Sequence, residues 1–200
     1  MPRATILTAS SYRRMPWKNG GGETVEIAIS PEGAALSEFD WRISTATVAT
    51  DGPFSIFPGI DRTLSILDGE GMSLEIDGSA PVFLTQASAP LAFPADLPVS
   101  ATLKSGPITD LNVMTRRGKF IHGVTMLSVS QRVITSNGSD VTLVLPTSDL
   151  MLKDGTLLAA YDAILLHPGD SEIELSRAPS SRTFLVRIAS RQKASVSLQV

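Results

Sequence analysis

The stretch that decides the fold is residues 41–71, WRISTATVATDGPFSIFPGIDRTLSILDGEG. It opens with β-branched and apolar residues, breaks at Asp51-Gly52-Pro53, bends at Pro58-Gly59 and continues as a second apolar run over residues 62–67. β-Branched residues favour strands, whereas Gly, Pro and Asp favour turns. The stretch therefore predicts two strands joined by tight turns.

The two predicted strands each carry an arginine. Side chains alternate between the faces of a strand, so Arg42 and Ser44 share one face, and Arg62 shares a face with Leu64 and Ile66. An arginine that begins an apolar row indicates a charged group at the mouth of a hydrophobic interior. This pattern is typical of a pocket for a small anion.

Composition excludes several classes of protein. The chain has 200 residues, 42% of them hydrophobic and 18% charged, which is enough apolar material for a sizeable core. A net charge of -3 argues against nucleic acid as a partner. The absence of cysteine excludes disulfides, thiolate metal sites and a cysteine nucleophile.

The N-terminal residues also bear on localisation. They contain no apolar core of a signal peptide, and no run in the chain approaches the roughly 20 apolar residues of a membrane span. We therefore expect a cytoplasmic protein with no membrane partner.

Turn signals recur along the chain and suggest an internal repeat. Asp77-Gly78, between two apolar runs, predicts a short hairpin. Three features of the first half recur in the second: Asp77-Gly78 at Asp154-Gly155, Phe93-Pro94-Ala95-Asp96 at His167-Pro168-Gly169-Asp170, and residues 111–116 at 184–188. Many short strands in a repeated order predict an all-β protein of two similar units, each a sandwich or barrel.

A run of glycines precedes another predicted strand, earlier in the chain. Lys18-Asn19-Gly20-Gly21-Gly22 leads into the alternating residues 24–29. A P-loop or a Rossmann turn would open a helix, so neither nucleotide motif is present. The glycine N–H groups could form an anion nest, or the run could be a simple hairpin loop.

Several runs together resemble the HutD/Ves family. They lie within residues 16–118: PWKNGGG at 16–22, FDWRIS at 39–44, GPFS at 52–55, FPGIDR at 57–62, LDG at 67–69 and DLNVM at 110–114. The resemblance implies two tandem cupin-like (RmlC-like) β-barrels, a bicupin. We place these at residues 1–118, with the ligand pocket, and at 119–200. It also implies a governor of histidine utilisation that senses a small intermediate, with formylglutamate the leading candidate; the family's better-known members are not established enzymes.

Histidine is too scarce for a metal cupin. The chain has only His122 and His167, which lie in different halves, so we expect no metal and no other cofactor. No Gly-x-Ser-x-Gly elbow is present, and we assign no catalytic residue. An alternative function is a metal-independent isomerase or epimerase acting on a small acid or sugar, with His167, His122, Tyr12 or Tyr161 in the acid–base role.

The predicted anion site draws on charged, polar and aromatic residues of the first half. Arginine can bind a carboxylate through two parallel hydrogen bonds, and asparagine can donate as well as accept. The candidate ligand-binding residues are the cations Lys18, Arg42, Arg62 and Arg116, the polar Asn19, Ser44, Ser55 and Asn112, the aromatic Phe54 and Phe57, and the backbone of Gly20 and Gly21.

Two simpler interpretations remain open. Each arginine could pair with a nearby acid, Arg62 with Asp61 and Arg42 with Asp40 or Glu38. The chain could also be an interaction protein without a ligand. Residues 183–188 are apolar on one face and could pair with another copy in a homodimer.

Overall fold

The computed structural model describes residues 4–127, 133–176 and 182–192, and their regular secondary structure is almost entirely β-strand. The described part contains no helix long and apolar enough to cross a membrane, and its one named helix is a 3-10 turn at Ala9–Ser11. The strands are β1 Thr5–Leu7, β2 Arg13–Pro16, β3 Gly22–Ser30, β4 Trp41–Val48, β5 Gly52–Pro53, β6 Ile60–Asp68, β7 Met72–Ile76, β8 Val82–Leu84, β9 Leu91–Pro94, β10 Val99–Leu103, β11 Ile108–Arg116, β12 Phe120–Met126, β13 Val133–Ile134, β14 Val141–Pro146, β15 Leu150–Met151, β16 Leu157–Leu158, β17 Ala163–Leu166, β18 Ile173–Glu174 and β19 Thr183–Ser190. The predicted all-β class is confirmed.

The chain divides into two compact units. The central unit is Arg13–Arg117, and the flanking unit combines Met1–Tyr12 with Gly118–Val200. The sequence analysis places the first twelve residues with the first half, whereas the structure places them in the flanking unit. The cause is strand pairing, because Thr5 of β1 lies opposite Leu165 of β17.

The central unit is built from two antiparallel sheets. The larger has the strand order β2-β3-β4-β11-β6-β9, and the smaller has the order β5-β10-β7-β8. Leu64 and Ile66 of β6 belong to the same buried cluster as Met72 and Leu74 of β7, so the core lies between one face of the large sheet and the small sheet. We call that face of the large sheet the inner face.

The turn predicted at Asp77-Gly78 is present and joins β7 to β8. Asp77 has φ 50° and Gly78 has φ 69°, and the Ser79 N–H donates to the Ile76 carbonyl at 2.9 Å. Positive φ at both central residues is the type I′ geometry, whose twist matches that of the flanking strands. The local sequence therefore specifies this turn, whereas the paired residues of β7 and β8 begin only at Leu74 and Val82.

The flanking unit repeats the strand order of the central unit. Its main sheet has the order β1-β17-β14-β19-β12. The shared order covers four strands of each sheet, β4-β11-β6-β9 in the central unit and β12-β19-β14-β17 in the flanking unit. In each set of four, the last strand in the chain lies between the first and the second. The two runs predicted to correspond, residues 111–116 and 184–188, lie in the equivalent strands β11 and β19.

The last long strand does not offer an edge to a second copy. Strand β19 is hydrogen-bonded to β12 on one side and to β14 on the other. Residues 183–188 therefore cannot add another strand at either edge, and the homodimer considered from the sequence stays a prediction.

Candidate anion-binding site

The inner face of the central sheet brings two arginines into one row. In the register of the sheet, Met114 of β11 lies opposite both Arg42 of β4 and Arg62 of β6. Asn112 lies opposite Ser44 in the next row. Directly opposed residues of antiparallel strands point to the same face, so the predicted sharing of a face by Arg42 and Ser44 is confirmed.

Two further residues join this face. Phe93 of β9 lies opposite Arg62. Asp110, two residues before Asn112, lies opposite Ala46 on one side and Ile66 on the other. The polar residues thus form a patch within a face that is otherwise apolar.

Arg62 is a buried cation surrounded by aromatic rings. It is 5% exposed, and its guanidinium carbon lies 5.4 Å from the ring centre of Phe54, 5.3 Å from that of Phe57 and 5.8 Å from that of Phe93. Its Nη2 donates a long hydrogen bond of 3.5 Å to the Ser55 carbonyl. Its buried Nε has no hydrogen-bond partner within the described residues.

The charge of Arg62 is only partly compensated. Burial lowers the pKa of Arg62 to about 10, the charge of Asp110 acts in the opposite direction, and the charge of Arg42 lowers it further. Arg62 is therefore still protonated at neutral pH. In the part of the chain that the structure describes, no carboxylate forms an ion pair with it.

Asp110 and Asn112 form the second part of the patch. The Asn112 Nδ2 donates to Asp110 Oδ1 at 2.6 Å. Burial raises the pKa of Asp110 to about 7, although the charge of Arg62 and hydrogen bonds from the Ala46 backbone and the Asn112 side chain oppose this. Asp110 Oδ2 and Asn112 Oδ1 are buried and have no partner among the described residues. Both oxygens can accept a hydrogen bond, and a neutral Asp110 could also donate one.

Arg42 is neutralised by a residue that the sequence analysis did not identify. Its Nε donates to Glu26 Oε2 at 2.7 Å, and the two side chains are 5% and 9% exposed. The pairing depends on a β-bulge between Glu26 and Ala28, which moves Glu26 onto the inner face opposite Ser44. The partners considered from the sequence, Asp40 and Glu38, were therefore wrong.

The partner considered for Arg62 was also wrong. Asp61 accepts a hydrogen bond from Arg117 Nε at 2.7 Å, and Arg117 also binds Asp96. Neighbouring residues of a strand point to opposite faces, so Asp61 cannot reach the inner face from its place beside Arg62.

Arg116 donates hydrogen bonds to backbone carbonyls and does not line an open site. Its Nε and Nη2 donate to the Phe39 carbonyl at 3.1 and 2.7 Å, and Nη2 also lies 3.3 Å from the Ser37 carbonyl. Asp40 forms an ion pair with it at 3.7 Å. The predicted role of Arg116 in ligand binding is not retained, because its guanidinium holds the segment before β4.

The glycine run forms a turn and does not supply free donors. The Gly20 N–H donates to the Trp17 carbonyl, and the Gly21 N–H donates to Asn19 Oδ1 at 3.0 Å. A Cβ on Gly22 would lie 2.1 Å from the Thr47 carbonyl oxygen, so the close approach of β3 and β4 requires glycine there. The nest considered for Gly20 and Gly21 is therefore not formed, and the side chains of Asn19 and Lys18 are exposed.

The loop between β5 and β6 supplies the wall over Arg62. Phe54 and Phe57 are half-buried, whereas the side chain of Ser55 is exposed and only its carbonyl faces the guanidinium. Both aromatic rings lie beside the Arg62 guanidinium, an arrangement that the sequence analysis did not predict. Ser55 contributes through its backbone.

The residues considered for catalysis lie in the flanking unit. The Tyr12 hydroxyl lies 3.1 Å from the Leu7 carbonyl and 3.0 Å from the Tyr161 carbonyl, and burial raises its pKa further above the ordinary value. His167 is exposed, with Nδ1 3.2 Å from the Asp140 carbonyl. His122 pairs with Ile188 in the β12–β19 ladder. The described residues contain no group of three or more His, Cys, Asp or Glu that could hold a metal ion.

Comparison with known proteins places these observations in a family. The family model described as HutD matches residues 9–184. A Pseudomonas putida protein described as an uncharacterized 21.2 kDa protein in the hutC 3' region is 32% identical over 197 residues, covering 96% of this chain and 100% of that one. Protein Ves of Citrobacter koseri is 34% identical over 176 residues, which are 86% of this chain and 89% of Ves.

Solved structures agree on the fold. HutD from Pseudomonas fluorescens, in a formate condition, matches with a TM-score of 0.80 and 30% identity over 94% of this chain and 99% of that one. A cupin 2 conserved barrel domain protein from Leptotrichia buccalis matches with a TM-score of 0.50 and 12% identity, over 84% and 88%. The second match concerns the fold alone, and it makes the architecture cupin-like.

Proposed function

This chain belongs to the HutD/Ves family, and we propose that it binds a small carboxylated metabolite on the inner face of its central unit. In this proposal the protein reports or buffers the level of that metabolite in histidine utilisation, and formylglutamate or a related intermediate is the ligand. The hut-related names of relatives support the pathway, and the geometry around Arg62 supports the chemistry.

The observation that carries the proposal is the state of Arg62. A buried charge without a partner costs free energy, and proteins rarely keep one unless an ion or a ligand compensates it. Arg62 has an unpartnered Nε, a weak bond from Nη2 and three aromatic rings around its guanidinium. A carboxylate would accept two parallel hydrogen bonds from such a fork.

The neighbouring residues divide into binding and supporting roles. Asn112 and Asp110 present buried oxygens to the same face and would orient the ligand. Phe54 and Phe57 would form apolar walls, as is usual in small-molecule sites. Arg42, already paired with Glu26, would contribute a positive potential rather than a direct contact.

We further propose that the two units are tandem cupin barrels derived from one ancestral unit and that the protein works without a metal. The shared strand order of the two main sheets supports the duplication. The described residues offer no observation that favours the isomerase or epimerase alternative, because the Tyr12 hydroxyl is held between two carbonyls and its pKa is raised.

Thermal unfolding against a panel of small acids tests the proposal. The panel contains formylglutamate, urocanate, glutamate and formate, with buffer alone as the reference. A ligand at about 100 times its dissociation constant adds about 2.7 kcal/mol to the free energy of unfolding. For a chain of this length that corresponds to a rise of roughly 5–10 °C in the midpoint.

Two arginine variants make the test specific. Arg62→Met should abolish the shift, because it removes the fork and keeps the volume of an unbranched side chain. Arg14→Met is the matched control, since Arg14 is exposed and pairs only with Glu23 in the salt bridges described. A shift that survives in Arg62→Met, or the absence of a shift with every acid, would overturn the assignment.

A further inference from the structure

Asp110 is the acidic group of the same buried patch. It is 1% exposed and accepts a hydrogen bond at Oδ1 from Asn112 Nδ2. Its Oδ2 is buried and has no partner within the described residues. The side chain lies on the face that carries Arg62, one strand away, with Asn112 in the row between them.

The charges that face Asp110 are few and can be named. Arg62 comes from β6, and the Arg42–Glu26 pair comes from β4 and β3. The small sheet contributes apolar residues to the core beneath the patch: Met72, Leu74, Val99 and Ala101. Because the Arg42–Glu26 ion pair carries no net charge, the net charge of the patch depends on Arg62 and Asp110 alone.

The protonation of Asp110 therefore decides whether an anion is attracted. When Asp110 is ionised, it balances Arg62 and the patch is neutral. When Asp110 is neutral, the patch carries one net positive charge, and Oδ2 can donate a hydrogen bond. A neutral carboxyl in an apolar site can serve as a hydrogen-bond donor of this kind.

We propose that Asp110 is a specificity-determining residue, whose neutral carboxyl donates from Oδ2 to the ligand carboxylate held by Arg62, so that binding takes up a proton. This inference rests on the proposed function and adds the residue that selects the ligand carboxylate and the uptake of a proton on binding. The ligand group is a carboxylate with a single negative charge. An ammonium or guanidinium end of the ligand would be repelled by Arg62.

The pKa of Asp110 predicts that ligand affinity changes with pH near neutrality. Burial raises it to about 7, so the free protein holds the proton at about pH 6 and has lost most of it at about pH 8. A bound anion nearby raises the pKa further, because a like charge disfavours ionisation. Affinity should therefore fall about tenfold between these two pH values, while the ligand carboxylate remains ionised.

Isothermal titration calorimetry with N-formyl-L-glutamate measures both the affinity and the number of protons taken up on binding. Titrations at about pH 6 and about pH 8 give the affinity ratio. Titrations near pH 7 in buffers with different ionisation enthalpies give the number of protons taken up. We expect the roughly tenfold ratio and an uptake of about half a proton near pH 7, rising toward one at higher pH.

Asp110→Asn removes the titrating group and keeps the shape of the neutral acid. In this variant the affinity ratio between the two pH values should approach one, and the proton uptake should disappear. Asp68→Asn is the matched control, because Asp68 is an exposed acid at the end of β6 and should leave both quantities as in the parent. If Asp110→Asn does not fold, the parent titrations can still overturn the inference, by showing equal affinity at the two pH values and no proton uptake.

The outcomes separate this inference from the proposed function. Binding that depends on Arg62 but has equal affinity at both pH values, with no proton uptake, would overturn the role of Asp110 and leave the proposed function standing. No binding at either pH would reject both. An unchanged pH dependence in Asp110→Asn would assign the proton to another group and also reject the inference.

Discussion

The two units share one strand order and differ in what their inner faces carry. In the central unit, Arg42, Arg62 and Asp110 interrupt the apolar rows. In the flanking unit, the equivalent face carries the core residues Val144 and Leu185 together with Thr142 and Arg187, and the Nε of Arg187 is buried without a hydrogen-bond partner among the described residues. Both faces therefore hold a buried arginine nitrogen, and the central face differs by its second arginine, its aromatic rings and the buried acid Asp110, so function depends on the residues placed on the fold.

The difference has an energetic side. Replacing buried ionic groups with well-packed apolar ones is often neutral or stabilising, whereas removing one partner of a buried pair is strongly destabilising. The central unit thus keeps charges that its stability does not require. Four predictions test this contrast, in order of decreasing effect.

The largest loss of stability is expected when the Arg42–Glu26 pair is broken. Glu26→Ala leaves the Arg42 guanidinium buried without its acid and should cost about 3–5 kcal/mol of the free energy of unfolding. Glu23→Ala is the control, because its ion pair with Arg14 is more exposed and should contribute only about 0–1 kcal/mol. Urea unfolding measures both; similar losses in the two variants would contradict the contrast.

Core truncations should affect the two units alike. Leu64 and Leu166 are both 0% exposed and lie in the core clusters of the central and flanking units. Leu64→Ala and Leu166→Ala should each cost about 2–5 kcal/mol, from lost transfer free energy and the cavity left behind. Urea denaturation midpoints check this. A cost near zero in either variant would mean that its unit does not depend on that core.

The pH dependence of stability should change when Asp110 loses its charge. Folding raises the pKa of Asp110 from 3.8 to about 7, so the native state binds more protons than the unfolded chain within that window. The parent protein therefore loses stability as pH rises through the window, by about 2 kcal/mol between about pH 5 and pH 7. Asp110→Asn should lack this component. Parallel stability profiles for the two proteins would show that Asp110 does not titrate as stated.

The smallest stability changes are expected at two arginines, one in each unit. Arg62→Met should leave the free energy of unfolding unchanged or raise it by about 1 kcal/mol, while abolishing the ligand-induced shift. Arg187 lies on β19 opposite Thr142, is half-buried and donates to the Thr135 carbonyl at 3.4 Å, and its buried Nε has no hydrogen-bond partner among the described residues. Arg187→Met removes that unpartnered group, so it should change stability by about 1 kcal/mol or less and leave the ligand shift intact. Loss of the ligand-induced rise in unfolding midpoint in Arg187→Met would place the binding site in the flanking unit.

Much of the fold could be predicted from local pattern. The alternation of residues 62–66 places Arg62 with Leu64 and Ile66, and Asp77-Gly78 specifies the turn between β7 and β8. The same alternation could have added Asp110 to the face of Asn112, since the two are separated by one residue. Phe93 carried no such signal, because its place beside Arg62 depends on the pairing of β6 with β9.

The sequence by itself determined the all-β class, the turns and the face to which most strand residues point, because these depend on contacts between near neighbours in the chain. Only the tertiary structure decided which charges are paired. A bulge in β3 gives Arg42 its acid, the segment before β4 occupies Arg116, and Arg62 is left without an ion pair among the described residues. Strand register and loop placement bring together residues that are distant in sequence, so the partner of a charged side chain cannot be read from its neighbours in the chain.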